Sequence, residues 1–319
     1  MLRPRDAAEP EIDADAVWRL LLALRVLADA GRPLPPLLGL GRRAGSWDEL
    51  PPAEAELLLD TAGASLAAAR PPLTAEAARL LELHLPHALC PSGRRHAVAI
   101  LGQSLDGFIA TCDGQSRYIN GEATLFHLHR LRALSDAVLI GVGTALADAP
   151  RLTTRHVPGP DPVRVVVDPK GRLPADSGLL HDGRAPTLVL RAADGGEAER
   201  PLSAQATALH LPGEGPQLEP AAILTALAAR GLSRVLVEGG GRTVGCFLEA
   251  GLLDRLQLAV SPLILGAGRP ALPVAPASCL ERALRPDCRR HLMGEDVLFD
   301  LRPATSRTDA TADDGGAIC

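Results

Sequence analysis

The stretch Val235-Leu236-Val237-Glu238-Gly239-Gly240-Gly241-Arg242-Thr243-Val244-Gly245 decides how this chain folds. Val235, Leu236 and Val237 read as a buried strand, and the glycines then open a segment, Thr243–Ala250, that reads as a helix. That order leaves unhindered backbone N–H groups and a helix N-terminus at the carboxyl end of a strand, where an anion can be held. Glycine turns between strands and helices are common, so one such cluster says little alone. A second one strengthens the reading. Asp136-Ala-Val-Leu-Ile140 runs into Gly141-Val142-Gly143-Thr144 and then Ala145-Leu146-Ala147-Asp148, again strand, glycine loop and short helical turn. Two such loops on one α/β unit predict a dinucleotide or nucleotide-like ligand with phosphates at one or both.

Outward from these loops the chain divides near residue 95. From His96 to Leu301 short apolar runs alternate with helical ones. The strands are expected at Ala97–Leu101, Ala137–Ile140, Val163–Val167, Thr187–Leu190, Ala208–Leu211, Arg234–Val237, Leu256–Leu265 and Val297–Leu301. Helices are expected at Glu122–Leu134 and Glu219–Arg230 as well as Thr243–Ala250. Continuous rather than alternating apolar strands indicate a mostly parallel sheet covered by helices on both faces. Residues 1–95 carry leucine-rich helical periodicity at Ala16–Ala30, Ala53–Ala69 and Thr74–His84, broken by Pro33-Leu-Pro-Pro36 and Pro71-Pro72, and read as a small helical region without a chemical constellation. His84 and His87 flank Pro86 without acidic or cysteine partners, so a capping or surface role is expected of them rather than metal binding. Residues 302–319 are polar and low in complexity and read as a disordered tail.

Composition narrows the function classes. The chain has 319 residues, 46% of them hydrophobic and only 2% aromatic, so Leu, Val and Ala must build the core. A net charge of −5 argues against nucleic acid or an anionic membrane surface as the main partner. No run approaches the ~18 apolar residues of a membrane span, and the acidic, proline-containing N-terminus does not read as a signal peptide. The six cysteines are scattered without a C-x-x-C pair, as expected for reduced thiols in a cytoplasmic protein with no metal site.

The remaining motifs fall in a fixed order. Ser104-Leu-Asp106-Gly107 follows the first strand of the larger unit, then Ser116-Arg-Tyr118-Ile-Asn120, Leu131-Arg132-Ala133-Leu134-Ser135-Asp136, the Gly141 loop with Asp148-Ala149-Pro150-Arg-Leu152-Thr-Thr-Arg155, Val165-Val-Val-Asp168, the Glu238 glycine cluster, Leu253-Asp254 and Ser261-Pro262-Leu-Ile-Leu-Gly266. The series resembles the reductase domain of riboflavin biosynthesis, a member of the dihydrofolate-reductase-like fold, over His96 to Leu301. The resemblance implies an NADPH-dependent reductase that converts the ribosylamino side chain of a phosphorylated pyrimidine, 5-amino-6-(5-phosphoribosylamino)uracil, to a ribitylamino chain. It also implies a homodimer.

Carried over residue by residue, the resemblance puts Gly102, Tyr118, Gly143, Thr144 and Asp148 on the cofactor side, with the phosphate loop at Gly240, Gly241, Arg242, Thr243, Val244, Gly245 and Cys246. Ser116, Arg132, Leu152, Arg155 and Glu238 fall on the substrate side. Arg132 and Arg155 are the expected phosphate ligands, because a guanidinium fork engages phosphate oxygens in pairs. The rival reading of Arg132 is an i,i+4 pair with Asp136. Glu238 and Asp106 are the candidate catalytic carboxylates, and for Asp106 a turn-forming role beside Gly107 fits equally. Asp168 reads as either a turn former or a site residue. Lys170, Arg172 and Arg191 are candidates for selecting the 2′-phosphate.

The chain departs from the family pattern where Ile100 and Phe108 replace lysines, Ala149 an acidic or amide residue, and Pro169 a serine. A zinc deaminase precedes the reductase in the bifunctional bacterial proteins; residues 1–95 lack its His-x-Glu and Pro-Cys-x-x-Cys signatures, so no deaminase activity and no zinc are expected. Two other readings fit the same residues: a reductase of another pterin- or pyrimidine-like compound, and a nucleotide-binding sensor without turnover.

Overall fold

A computed structural model describes residues 11–303, apart from 32, 44–45, 92, 118, 194–198 and 213–216. The larger unit begins after an N-terminal module, and its strands line up in one ten-stranded sheet. The module comprises α1 (Ala14–Asp29), β1 (Leu37–Arg43), β2 (Ser46–Glu49), β3 (Leu57–Asp60), β4 (Ser65–Ala69) and α2 (Ala75–Ala88). The larger unit follows with β5 (His96–Ser104), β6 (Phe108–Ala110), α3 (Glu122–Leu134), β7 (Ala137–Gly141), α4 (Val142–Asp148), β8 (Val163–Val167), α5 (Gly178–His181), β9 (Thr187–Ala192), β10 (Glu199–Pro201) and β11 (Ala206–Leu211). It closes with α6 (Pro220–Ala228), β12 (Arg234–Glu238), α7 (Gly241–Glu249), β13 (Arg255–Ser261), β14 (Arg269–Pro270), β15 (Asp287–Met293) and β16 (Asp296–Arg302).

The sheet order is β10-β11-β9-β8-β7-β12-β5-β13-β16-β15. The seven strands from β11 to β13 are parallel, and antiparallel strands flank them at both ends. This is the mixed, mostly parallel sheet implied by the dihydrofolate-reductase-like resemblance. Side chains alternate across it, as the strand period of two requires. Ala97, Ala99 and Leu101 join Ile223, Leu227, Val244 and Phe247 of α6 and α7 on one face. Val98 and Ile100 join Leu131, Val142, Ala145 and Leu180 of α3, α4 and α5 on the other. Both faces are therefore covered, which is why the central strands read as unbroken apolar runs. The expected strand at Leu256–Leu265 ends at Ser261, and the exposed β15 was not anticipated.

The N-terminal module is not all-helical. Its four strands form an antiparallel sheet of order β2-β1-β3-β4. The helix expected over Ala53–Ala69 is instead the hairpin β3–β4, turned where Asp60 Oδ1 accepts the N–H groups of Ala62 (3.1 Å) and Gly63 (3.0 Å). Its Leu57 and Leu59 are buried and pair with β1 residues, a tertiary gain that outweighs the helix propensity of the alanines and glutamates. The two helices begin at side-chain caps, Asp13 on Ala16 N–H (2.7 Å) and Thr74 on Ala77 N–H (3.2 Å).

This module shares its core with the larger unit. Ala133 and Leu134 of α3 are fully buried among α1 and α2 leucines. Arg25 donates to Ala133 O at 3.0 Å, capping an orphan carbonyl at the end of α3. Trp18 Nε1 donates to Pro158 O (3.0 Å), and Arg255 Nη1 to Leu83 O (2.8 Å). His84 and His87 lie inside this joint, fully buried, contrary to the surface role expected of them. His87 Nε2 pairs with Ser135 Oγ at 2.8 Å and its Nδ1 with His96 Nδ1 at 2.9 Å. The His84 ring packs edgewise on His127 of α3, which in turn bonds Gln257 Oε1 at 2.8 Å. Sequence spacing could not reveal partners that come from α3 and β13.

Candidate active site

Strand order places the site. From β5 the chain winds outward through β7, β8, β9 and β11, returns to insert β12 between β7 and β5, and then crosses to β13 on the far side. Ligands of open α/β sheets sit outside the carboxyl ends of the strands where the winding direction reverses. Here the carboxyl ends of β5, β7 and β12 open into a cleft of about 1430 Å³. That exceeds the roughly 300–1,000 Å³ of a single small-molecule pocket. Among the described residues, eight cationic side chains and two carboxylates line it, in a protein whose net charge is negative.

The two glycine loops meet at this opening. A Cβ on Gly240 would stand 2.9 Å from Thr144 Oγ1, and one on Gly141 would stand 2.6 Å from Thr243 Oγ1. The starts of α4 and α7 therefore adjoin at one opening; in α7 the Thr243 N–H is already held by Gly240 O at 2.8 Å, while the first N–H groups of a helix have no acceptor within it. Gly239 and Gly240 hold φ of +66° and +69°, values that L side chains rarely adopt. Gly241 instead meets the carbonyls of Pro270 and Ala271, so the β6–β14 flap rests directly on the start of α7. Gly102 meets the Asn120 side-chain amide, which donates to Ala259 O at 3.0 Å.

Glu238 ends β12 only 7% exposed, and Arg132 reaches it from α3 with 6% exposure. Nε donates to Oε1 and Nη2 to Oε2, both at 2.6 Å, while Nη1 donates to Thr153 O at 3.0 Å. Burial opposes charge on Arg132, yet the Glu238 carboxylate prevails and raises its pKa above the ordinary arginine value. The pair with Asp136 does not form; Asp136 holds Arg25 and Arg234 instead. Much of the Arg132 fork is thus committed to protein, and Arg155 is the more available cation. It is exposed, lines the cleft, and its pKa is lowered by burial and by the neighbouring Arg132 and Arg151. Such a cluster of like charges is relieved by an anion.

The loop carrying Arg155 is strained and tethered. Ala149 and Leu152 adopt left-handed φ of 41° and 57°, costly for residues with a Cβ. Leu152 is buried at the cleft floor. Arg155 N–H donates to His129 Nδ1 at 3.0 Å, and Thr154 N–H to Asp161 Oδ1 at 2.6 Å. Ser116 Oγ donates to Asp148 Oδ1 at 3.2 Å across the opening.

Several expectations need correcting. Asp106 does not line the cleft: its exposed carboxylate accepts from Ser104 Oγ (2.6 Å), Leu265 N (3.1 Å) and Gly266 N (2.7 Å), which lowers its pKa and clasps two loops together. The catalytic expectation for it gives way to the turn-forming one. Val244 is a core residue and Gly245 packs on Pro273 O, so neither faces the opening, whereas Arg242, Thr243 and Cys246 do. Asp168 accepts from Arg172 N and Leu173 N, both at 2.9 Å, and shapes the loop after β8. Lys170 and Arg172 line the cleft; Arg191 packs beside Gly171, behind them. Tyr118 lies outside the described residues, as does the tail from 304 onward. Sequence reading gave no role to Arg117, although it stands inside the Ser116-Arg-Tyr118-Ile-Asn120 motif, nor to Arg151, and overlooked Arg269, which no motif marks; all three line the cleft. Among the described residues no group of three or more His, Cys, Asp or Glu is arranged to hold a metal, and no helix is long and apolar enough to cross a membrane.

Comparison with known proteins agrees with this geometry. The family model of the RibD C-terminal domain matches residues 95–285. A 2,5-diamino-6-ribosylamino-4(3H)-pyrimidinone 5′-phosphate reductase of Methanothermobacter thermautotrophicus is 33% identical over 65% of this chain and 97% of its own length. The riboflavin biosynthesis protein RibD of Aquifex aeolicus is 35% identical over 52% of this chain and 46% of its own, so the chain spans about half the length of that relative. Among solved structures, a deaminase/5-amino-6-(5-phosphoribosylamino)uracil reductase of Thermotoga maritima superposes with a TM-score of 0.57 at 27% identity, over 72% of this chain and 62% of that one. The cleft, its paired glycine loops and the Arg132–Glu238 fork therefore stand in a chain that belongs to the RibD C-terminal domain family.

Proposed function

We propose that the protein is the NADPH-dependent reductase of a phosphoribosylamino-pyrimidine in riboflavin biosynthesis, converting the ribosylamino side chain to the ribitylamino one. The observation that carries this reading is the junction of the two glycine loops with the Arg132–Glu238–Arg155 corner in one cationic cleft. Gly239, Gly240 and Thr144 form a cradle that any Cβ at Gly240 would fill, which suits a pyrophosphate approaching backbone N–H groups. The neighbouring Arg242 and Thr243 complete that side, and Lys170 and Arg172 supply cations for a 2′-phosphate. A bound nicotinamide nucleotide would supply the hydride.

The protein's own contribution is placement, since the reacting carbons must come within roughly 3–3.5 Å. Glu238, held in one orientation by the Arg132 fork, accepts hydrogen bonds from substrate hydroxyls or faces developing positive charge. Arg155, with Arg151 beside it, holds the substrate phosphate. Ile100, 5% exposed on the cleft wall, offers apolar surface to a flat ring at the position where the resemblance implies a lysine. A cytoplasmic homodimer completes the reading, supported by the resemblance and by cysteines that are free among the described residues.

The test is oxidation of NADPH by the purified protein with either the diaminopyrimidinone or the deaminated aminouracil phosphate. Turnover of one of them that falls about ten- to a hundredfold in Arg155→Ala, through KM, is expected. NADPH binding without turnover of either compound would overturn the assignment. Sedimentation would settle the dimer.

A further inference from the structure

We infer that His129 is the positioning residue of the anion corner: its imidazole fixes the backbone of Arg155 and so aims the guanidinium into the cleft. This rests on the reading of Arg155 as phosphate ligand and assigns a role to a residue outside the cleft lining. His129 sits on α3, one turn before Arg132, and is fully buried. Its Nδ1 receives the Arg155 N–H at 3.0 Å, so the ring proton belongs on Nε2. Arg155 lies in an irregular segment with no ladder to hold its N–H, and the histidine supplies the acceptor that secondary structure does not.

The rest of the segment converges on the same helix. Arg132 Nη1 holds Thr153 O, Arg155 Nη1 reaches Thr153 Oγ1 at 3.2 Å, and Gly159 is seated against Ala133. Helix α3 thus carries three tethers for the loop, and only the histidine acts on Arg155 itself. An acceptor is required there, and the surroundings keep it one. Burial, then Arg132, Arg155 and His156 press the imidazole pKa down to about 3, so the lone pair on Nδ1 persists at any working pH. A lysine or protonated histidine at this point would repel Arg155 and lose the bond.

Binding and turnover separate this role from a merely structural one. Calorimetry with ribose 5-phosphate and with ribose, on wild type, Arg155→Ala, His129→Asn, His129→Gln and His129→Leu, is the test. Asn presents an oxygen near the Nδ1 position, whereas Gln presents its polar atoms near Nε2. The wild type is expected to prefer ribose 5-phosphate over ribose by about tenfold or more, as one charged fork contributes. His129→Asn keeps that preference; His129→Gln and His129→Leu lose it as Arg155→Ala does, and the Arg155→Ala/His129→Gln double variant loses no more. In turnover of the phosphorylated pyrimidine, His129→Gln raises KM about tenfold while kcat holds. Equal phosphate preference in wild type and His129→Gln, or no preference in wild type, overturns the inference. If the phosphate preference follows this pattern but no pyrimidine is reduced, the reductase reading fails and the role of His129 stands.

Discussion

Arg132 and Glu238 stand 106 residues apart in sequence and meet as a two-bond fork, each N–H···O distance 2.6 Å, with both side chains less than a tenth exposed. The fork joins α3 to the end of β12. Breaking a buried pair by removing one partner costs about 3–5 kcal/mol, whereas replacing both with apolar groups is often neutral. Arg132→Leu should therefore lower the melting temperature sharply and abolish activity. The double variant Arg132→Leu/Glu238→Leu should regain most of the stability and none of the activity. Recovery of activity in the double variant would show that the pair is structural only.

Gly240→Ala meets two penalties, a φ of +69° and a Cβ 2.9 Å from Thr144 Oγ1. The backbone conformation alone costs about 1–2 kcal/mol. The expected outcome is weaker NADPH binding, by about tenfold or more, measured by fluorescence quenching, with kcat/KM falling in step. Thr144→Ser, which removes the methyl near Gly239 but keeps the hydroxyl, should leave binding nearly unchanged.

The buried histidines set an acid limit on stability. His127 and His96 are each pushed down to about 4, by burial first, and His84 and His87 also lie well below the ordinary imidazole range for the same reason. Unfolded imidazoles take up protons near pH 6.5. Between about pH 6.5 and pH 4 the unfolded chain therefore binds more protons than the folded one, and stability falls as pH falls. Above pH 6.5 the contribution is complete. Melting temperatures recorded across that window should drop, and His127→Gln, which can still pair with Gln257, should make the slope shallower. A slope unchanged by that substitution would remove His127 from the account.

Residues 95–303 expressed without the N-terminal module should aggregate or melt far below the whole chain. Ala133 and Leu134 would lose their apolar cover, and the end of α3 would lose the Arg25 cap on Ala133 O. A truncated protein that melts like the intact one would show the module to be independent.

The central sheet was legible because both its faces are covered: Val163–Val167 and Glu122–Leu134 begin and end where their sequences predict. The glycine loops were legible because backbone close approach leaves no alternative residue at Gly240. What local pattern could not show was pairing between distant elements. Ala53–Ala69 has helical composition, yet β1 claims Leu57 to Asp60 as a strand. The polar β15, Asp287–Met293, carries no apolar alternation because most of it faces solvent, and only its pairing with β16 defines it. The same limit applied to the site. Arg132 was recognisable as important, but that Glu238 would occupy its fork and leave Arg155 as the freer cation depends on how α3 crosses β12. Asp106 read equally as a catalytic residue and a turn former, and its three donors favour the turn.

The second half of helix α3, from His127 to Leu134, serves two parts of the molecule. Arg132 reaches the cleft and His129 holds the Arg155 loop beside it, while Ala133, Leu134 and His127 are built into the joint with α1 and α2. Substitutions at its buried positions are consequently judged by two cores at once. Recombining this reductase with a different N-terminal partner cannot be done by cutting at the linker before His96; the graft must carry a rewritten α3, and the two halves of the chain can diverge only in step.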